Sequence, residues 1–232
     1  MIYVMSDIHG NMSRFTSILT QINLQQEDTL YILGDVIDRG AHGIEILQKV
    51  MKTPNIKMLL GNHEYMMLNC VDENYRTYSK ARSLWMRNGG QVTLDAFNNL
   101  QPAEQQEIID YLEVLPINID IEVNNTKYKL VHAHSLDYFP QFGRYYYSDE
   151  IEFAVWERIK YELPKSDYVV IFGHTPTIHY QNSTPLSIWK HENGQMIGID
   201  CGCAYTSQGE VGEKLGGRLG CLCLDEMKEY YA

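Results

Sequence analysis

The sequence contains no apolar run approaching the ~20 residues that a membrane span requires, so no transmembrane segment is expected. The amino terminus is equally spare. Met1-Ile2-Tyr3-Val4-Met5 runs straight into Ser6-Asp7-Ile8-His9-Gly10, with neither the basic stretch nor the long apolar core of a signal peptide. The expected location is therefore the cytoplasm. Positive charge is scarce: 19 Lys and Arg face 30 Asp and Glu, for a net charge of -11. No block of basic residues stands out, which disfavours general nucleic-acid binding through phosphate neutralisation. Cysteine is scarce too, and its odd count of five does not suit the disulfide framework of a secreted domain. Four cysteines fall in two pairs, Cys201/Cys203 and Cys221/Cys223, a spacing that zinc could use. The preferred reading is that each pair lies on one face of an apolar strand, where cysteine packs as a small hydrophobe. Repeats, low-complexity tracts and linkers are absent. A chain of 232 residues is then expected to form a single domain, 1–232, able to bury a core without disulfides or a structural metal.

What is present is an alternation of strand and helix. Ile2 to Met5 reads as a buried strand, and Phe15, Ile18, Leu19 and Ile22 follow at helical spacing. Thr29 to Leu33 is a second strand, Ile44, Leu47 and Met51 mark a second helix, and Ile56 to Leu60 is a third strand. A βαβαβ order favours parallel strands with right-handed crossovers. From about Asn62 to Leu115 the pattern is helical and polar-faced, predicting a helical cap over about 65–115 that Pro116 ends. Ile117 to Val123 and Tyr128 to Val131 predict a hairpin turning at Asn124-Asn125. Ile151, Val155, Trp156 and Ile159 predict another helix, and Tyr168 to Phe172 another strand. Three more strands are expected at Leu186 to Trp189, Met196 to Ile199 and Leu219 to Leu224. The Gly-rich stretch Gly209 to Gly220 does not open a helix after a strand, so it is no nucleotide-binding loop.

Five short motifs hold most of the Asp and His residues that a metal could use. They are Asp7-Ile8-His9-Gly10, Gly34-Asp35-Val36-Ile37-Asp38-Arg39-Gly40, Gly61-Asn62-His63-Glu64, His132-Ala133-His134 and Gly173-His174-Thr175. Each follows an apolar strand, and the carboxyl ends of strands in one α/β sheet share an edge where ligands bind. Taken singly the motifs are weak: Asp-x-His occurs by accident, Gly-Asn-His-Glu could be a capped turn, and a lone His132 could be a core histidine. A given tetrapeptide turns up by chance on the order of once per thousand such sequences, so five in order are another matter. Carboxylate, amide and imidazole without thiol suit Mn, Fe, Zn or Ni. Asp7 and His9, two apart on an extended chain, can grip one ion. Asn62, His132 and His174 can grip another, and Asp35 has two oxygens with which to bridge them. Two ions ~3.5–4 Å apart clamp an in-line displacement at phosphorus. His63 adjoins the ligand Asn62, and neighbours cannot usually reach one ion, which leaves His63 free for proton work.

With these motifs, the sequence resembles the phosphoprotein phosphatase branch of the calcineurin-like metallophosphoesterases, and within it the compact bacterial and phage serine/threonine phosphatases. The likeness runs from Asp7 to Leu219–Leu224 and includes Asn88-Gly89-Gly90 in the cap, Trp156-Glu157-Arg158 in the helix after the histidine motif, and Gly173-His174-Thr175-Pro176. It implies an α/β fold in which two mixed sheets form a sandwich flanked by helices. It implies that Asp7, His9 and Asp35 bind a first divalent ion, and that Asp35, Asn62, His132 and His174 bind a second, with manganese the first choice. His63 would be the general acid, oriented by Asp38. Arg39 and Arg158, beside Asn62, would hold the phosphate. A hydroxide bridging the ions would then attack phosphorus directly. The implied substrate is a phosphoserine or phosphothreonine protein, with some phosphotyrosine activity.

Two alternatives stand beside it: a nucleotide-directed hydrolase, such as a dinucleoside polyphosphatase or an RNA-end phosphatase, and an inactive binding module. Symmetrical dinucleoside tetraphosphatases of this kind carry Ala where Asp38 stands, and an inactive relative would lack a ligand or the acid, whereas here none is missing. Departures from the family pattern are His134, which could reach the metal edge or face substrate, Cys201-Gly202-Cys203 in place of Thr-Gly-Ala, and an enlarged Gly209 to Gly217 loop. The aromatic run Tyr138, Phe139, Phe142, Tyr145, Tyr146 and Tyr147 could line a groove, although packing in a long loop is the preferred reading.

Overall fold

The computed structural model describes residues 1–71, 80–143, 146–160, 163–205 and 216–232. Among the described residues, ten strands form two sheets of five. In the first, β1 (Ile2–Met5), β2 (Thr29–Ile32) and β3 (Ile56–Met58) run parallel. Two antiparallel strands extend it on the far side of β1: β9 (Gly220–Cys223) and β10 (Lys228–Tyr231). In the second, β5 (Thr126–Val131) lies between its hairpin partner β4 (Asn118–Val123) and the parallel strand β6 (Val169–Phe172). β8 (Met196–Gly198) follows in parallel and the short β7 (Trp189–Lys190) closes the edge.

Strand alternation decides which core each side chain joins. On β1, Val4 points toward the second sheet and packs with Leu222, Leu130, Ile171 and Ile197. Tyr3 and Met5 point the other way, onto helices α1 (Met12–Ile22) and α2 (Gly43–Met51). The apolar spacing of α1 buries Phe15, Ile18 and Ile22 on one stripe. Asn11 caps its start by accepting the Arg14 N–H, and Asn23 ends it in the left-handed conformation. Among the described residues the cap comprises four helices: α3 (Asn62–Leu68), α4 (Lys80–Arg87), α5 (Gln91–Asn98) and α6 (Pro102–Glu113). They send Met66, Met67, Trp85, Phe97, Ile108 and Leu112 into the same core as α1 and α2. A third cluster covers the outer face of the second sheet with Phe153 from α7 (Glu150–Trp156).

Several sequence expectations need correction. Helix α7 stops at Trp156, with Glu157 extended at its C-cap, so Arg158 and Ile159 lie beyond the helix. The strand expected over Leu186 to Trp189 is reduced to Trp189–Lys190. The strand β10 has no clear counterpart in the sequence pattern, its residues being mostly half-buried. Cys221 and Cys223 do share one face of β9, but Cys201 and Cys203 sit outside any strand and enter different cores. All of these cysteines are buried and free. In the aromatic run, Phe139 and Tyr147 pack edge-on against Phe153 while Tyr146 is exposed; the Phe142 side chain and Tyr145 lie outside the described residues. Most of the enlarged loop, residues 206–215, also lies outside them. Among the described residues no helix is long and apolar enough to cross a membrane.

Candidate metal centre

The five motifs converge, but from two sheets rather than one. Asp7, Asp35 and Asn62 follow β1, β2 and β3 of the first sheet, whereas His132 and His174 follow β5 and β6 of the second. Because these strands run parallel within each sheet, their carboxyl ends meet at one end of the sandwich. The chain there is not extended. Asp7, His9, Asp35, Asp38, Arg39 and His174 all have φ between 48° and 69°, in the left-handed region. A non-glycine residue pays about 1–3 kcal/mol for that conformation, and six of them would consume much of the ~5–15 kcal/mol by which a domain is stable. Such turns persist only where neighbouring groups fix them.

Glu64 supplies much of that fixing. Fully buried, it accepts the N–H groups of Asp35 and Gly61 at Oε2 (2.9 and 3.2 Å) and those of Val36 and Ile37 at Oε1 (2.9 and 3.3 Å). The loops cross-link further through His9 N–H to the Asp35 carbonyl (3.0 Å) and Gly10 N–H to the Val36 carbonyl (2.8 Å). Gly34, at φ 88°, has no room for a side chain, since a Cβ would come within 2.6 Å of Gly61 Cα.

Asp35 is the centre of the arrangement. Its Oδ2 faces His9 Nε2 at 3.7 Å and His63 Nε2 at 3.8 Å, while its Oδ1 faces His132 Nε2 at 3.5 Å. Asp7 Oδ1 lies 3.9 Å from His9 Nε2, and Asp7 Oδ2 accepts from the Ser6 hydroxyl and the His174 N–H. Asn62 Oδ1 is 3.0 Å from His132 Nε2 and 2.9 Å from His174 Nδ1. Among the described residues, His9, Asp35 and His63 form one group able to hold a cation, and Asp35, His132 and His174 a second. No cysteine belongs to either.

The tautomers follow from the carbonyl oxygens nearby, which can only accept. His9 Nδ1 lies 3.1 Å from the Ile37 oxygen and His132 Nδ1 2.6 Å from the Leu33 oxygen, so each Nδ1 carries the hydrogen. Their Nε2 lone pairs are thus turned inward, toward carboxylate and amide oxygens. Lone pairs converging on one point repel unless a cation lies among them, so this donor set fits divalent ions. Burial, reinforced by neighbouring positive groups, lowers His9, His63 and His174 well below their ordinary range, and burial also lowers His132. Neutral imidazole is the ligating form. Asp35 is raised well above the carboxylate range, first by burial and then by Asp7 and Glu64. A carboxylate so placed ionises only where positive charge is supplied.

His63 Nδ1 lies 2.6 Å from Asp38 Oδ2, with both side chains buried. Arg39 bridges across the site, its Nη1 donating to His9 Nε2 (3.0 Å) and its Nη2 to His63 Nε2 (3.1 Å). Arg158 is exposed beyond α7, yet its charge is near enough to lower His174. His134 turns away from this cluster. It packs against Tyr138 and Phe153, and burial lowers it to about 4.

Three contributors escaped the sequence reading. Asp200 is buried just past β8, accepts the Gly202 N–H at 2.9 Å, and is raised by burial and by Asp7. Its position after a strand at this same end was the available signal. Glu64 stands three residues after Gly61, the spacing of a capping box. Trp85, whose Nε1 donates to Asp38 Oδ2 at 2.8 Å, gave no signal.

Comparison with known proteins agrees with this geometry. The family model described as "Calcineurin-like phosphoesterase" matches residues 1–199. The chain is 32% identical to serine/threonine-protein phosphatase 2 of Escherichia coli (strain K12) over 184 residues, covering 75% of this chain and 78% of that protein. It is 30% identical to the symmetrical bis(5'-nucleosyl)-tetraphosphatase of Yersinia pestis (strain Pestoides F) over 135 residues, covering 57% of this chain and 41% of that protein. A solved structure assigned provisionally as a diadenosine tetraphosphatase superposes over 100% of this chain and 92% of its own, with TM-score 0.63 and 18% identity, a likeness of fold.

Proposed function

Because the chain belongs to the calcineurin-like phosphoesterase family and is a metal-dependent phosphatase, we propose that it is a dinuclear phosphomonoesterase acting on phosphoserine and phosphothreonine in proteins, with some activity on phosphotyrosine. The observation that carries this reading is the placement of Asp35, whose two oxygens face His9 on one side and His132 on the other. Asp7, His9 and Asp35 would hold one ion, and Asp35, Asn62, His132 and His174 the other, with manganese as the physiological metal. Such ions supply Lewis-acid charge to the phosphoryl oxygens and acidify water at neutral pH.

The chain's own residues do the rest. Arg39 must release His9 Nε2 for that nitrogen to bind an ion, and its planar fork is then free for two phosphate oxygens. Arg158, exposed at the rim, adds a second positive group to the same phosphate. His63, freed of Arg39, carries a proton on Nε2 to the departing alkoxide, while Asp38 holds Nδ1–H and stabilises the imidazolium. Burial opposes that charged form, and the negative charge of a bound phosphate favours it.

The substrate class is supported by the protein phosphatase relative, which the chain matches over most of both lengths. A nucleotide-directed hydrolase is the second reading, on the strength of the tetraphosphatase relative. Turnover on a phosphopeptide panel, diadenosine tetraphosphate and a 2′,3′-cyclic nucleotide, each with Mn²⁺, separates the two. The phosphopeptides should be hydrolysed with the highest kcat/KM. A higher value on diadenosine tetraphosphate would overturn the protein substrate.

A further inference from the structure

The turn that carries Asp38 and Arg39 is held by the helical cap as well as by the loop after β1, whose His9 carbonyl accepts the Gly40 N–H. Both residues lie at positive φ, 69° and 66°. The Asp38 N–H donates to Thr93 Oγ1 of α5 at 2.9 Å, and the Arg39 N–H donates to the Gly89 carbonyl at 3.1 Å. Gly89, itself at φ 95°, allows that approach, because a Cβ there would stand 2.9 Å from Arg39 Cγ. Trp85 of α4 completes the brace. Its ring is 1% exposed and lies over Gly90, where a Cβ would come within 2.5 Å of it. Its Nε1–H donates to the same Asp38 oxygen that receives His63 Nδ1.

An indole N–H can only donate, so it meets a carboxylate oxygen as hydrogen-bond partner and never as competitor for the imidazole hydrogen. Asp38 has rotational freedom about its side chain, and a buried carboxylate with one partner could turn its Oδ2 away from His63. A second donor of fixed direction, on a ring locked by packing, removes that freedom. Building on the assignment of His63 as proton donor, we propose that Trp85 is a positioning residue that holds the Asp38 carboxylate, and through it the His63 ring, in register with the leaving group. The cap therefore takes part in the proton transfer as well as in covering the sheet.

Trp85→Phe keeps an aromatic ring but deletes the N–H together with part of the buried indole's volume, so a readout insensitive to lost packing is needed. Each preparation is assayed on phosphoserine peptide, whose alkoxide must be protonated, and on p-nitrophenyl phosphate, whose phenolate leaves without help. The ratio of the two rates is independent of the fraction of enzyme folded. We expect Trp85→Phe to lose about ten-fold in kcat on the peptide and under about two-fold on the nitrophenyl ester, short of the 10²–10⁴-fold effect of removing a general acid. His63→Asn is measured alongside. If it shows the leaving-group bias and Trp85→Phe lowers both rates equally, or neither, Trp85 is only a packing residue and the inference is overturned. If His63→Asn itself shows no bias, both this inference and the proton-donor assignment fall.

Discussion

His132 presents Nε2 to the side-chain oxygen of Asn62 at 3.0 Å while the Leu33 carbonyl holds its other nitrogen. The ring can therefore neither rotate nor change tautomer without breaking a buried hydrogen bond, and the lone pair it offers is aimed before any ion arrives. Preorganisation of this kind puts the site's selectivity in its donor types: imidazole, amide and carboxylate, which favour borderline cations over Mg²⁺. Chelation should abolish hydrolysis, and Mn²⁺ should restore it better than Mg²⁺. Asp35→Asn should be the most damaging ligand change, because it weakens both groups at once. Elemental analysis should find clearly fewer than two ions per chain in that variant; a value near two would refute the bridging role.

The Asp38 and His63 pair makes a prediction about leaving groups. His63→Asn should keep both metals yet lose ~10²–10⁴-fold on phosphoserine peptide, with a far smaller loss on p-nitrophenyl phosphate. Asp38→Asn should show a milder form of the same bias, and the double variant should fall short of the product of the two losses. Equal losses on both substrates would instead place His63 in metal or phosphate binding, as its 3.8 Å approach to Asp35 Oδ2 also allows.

Arg158 is exposed at the rim of the proposed site. If its guanidinium grips phosphate, Arg158→Ala should raise KM by about ten-fold, the scale of one hydrogen bond between charged groups. Inhibition by inorganic phosphate should weaken in parallel. Unchanged KM together with unchanged phosphate inhibition would leave Arg158 a solvated surface residue.

The buried His134 sets up a pH prediction. Its folded value is about 4 against 6.5 for the free side chain, because burial disfavours the charged ring. Between those limits the unfolded chain takes up a proton that the folded chain does not, so this contribution to stability is full above pH 6.5 and lost as pH falls toward 4. Buried acids such as Asp38, raised to about 7, act in the opposite sense, but they are common to variant and parent. The melting temperature of His134→Leu should therefore fall less than that of the parent over this window. Parallel pH profiles would show that His134 is not depressed.

Much of the architecture was legible in the linear pattern. Helices α1 and α2 announce themselves because each buries one side of a local repeat, and strands β1, β2, β5 and β6 because each contains a short run of mainly aliphatic and aromatic residues; each motif follows the strand that presents it. Elements with a weak local pattern were lost. β10 (Lys228–Tyr231) is half-buried along most of its length and is held by pairing with β9, and α7 ends at Trp156 although the apolar spacing continues to Ile159. The inventory of candidate metal donors was likewise a matter of residue type and order, since carboxylate and imidazole chemistry does not depend on where the chain goes. Orientation does. The His174 N–H meets Asp7 Oδ2 across 167 residues, and Trp85 reaches Asp38 across 47. Contacts of that kind exist only after two sheets and a cap have packed, because no local periodicity encodes which distant segment arrives. That is why the sequence by itself determined which candidate donors this protein has, while the tertiary structure decided which atom of each faces the others.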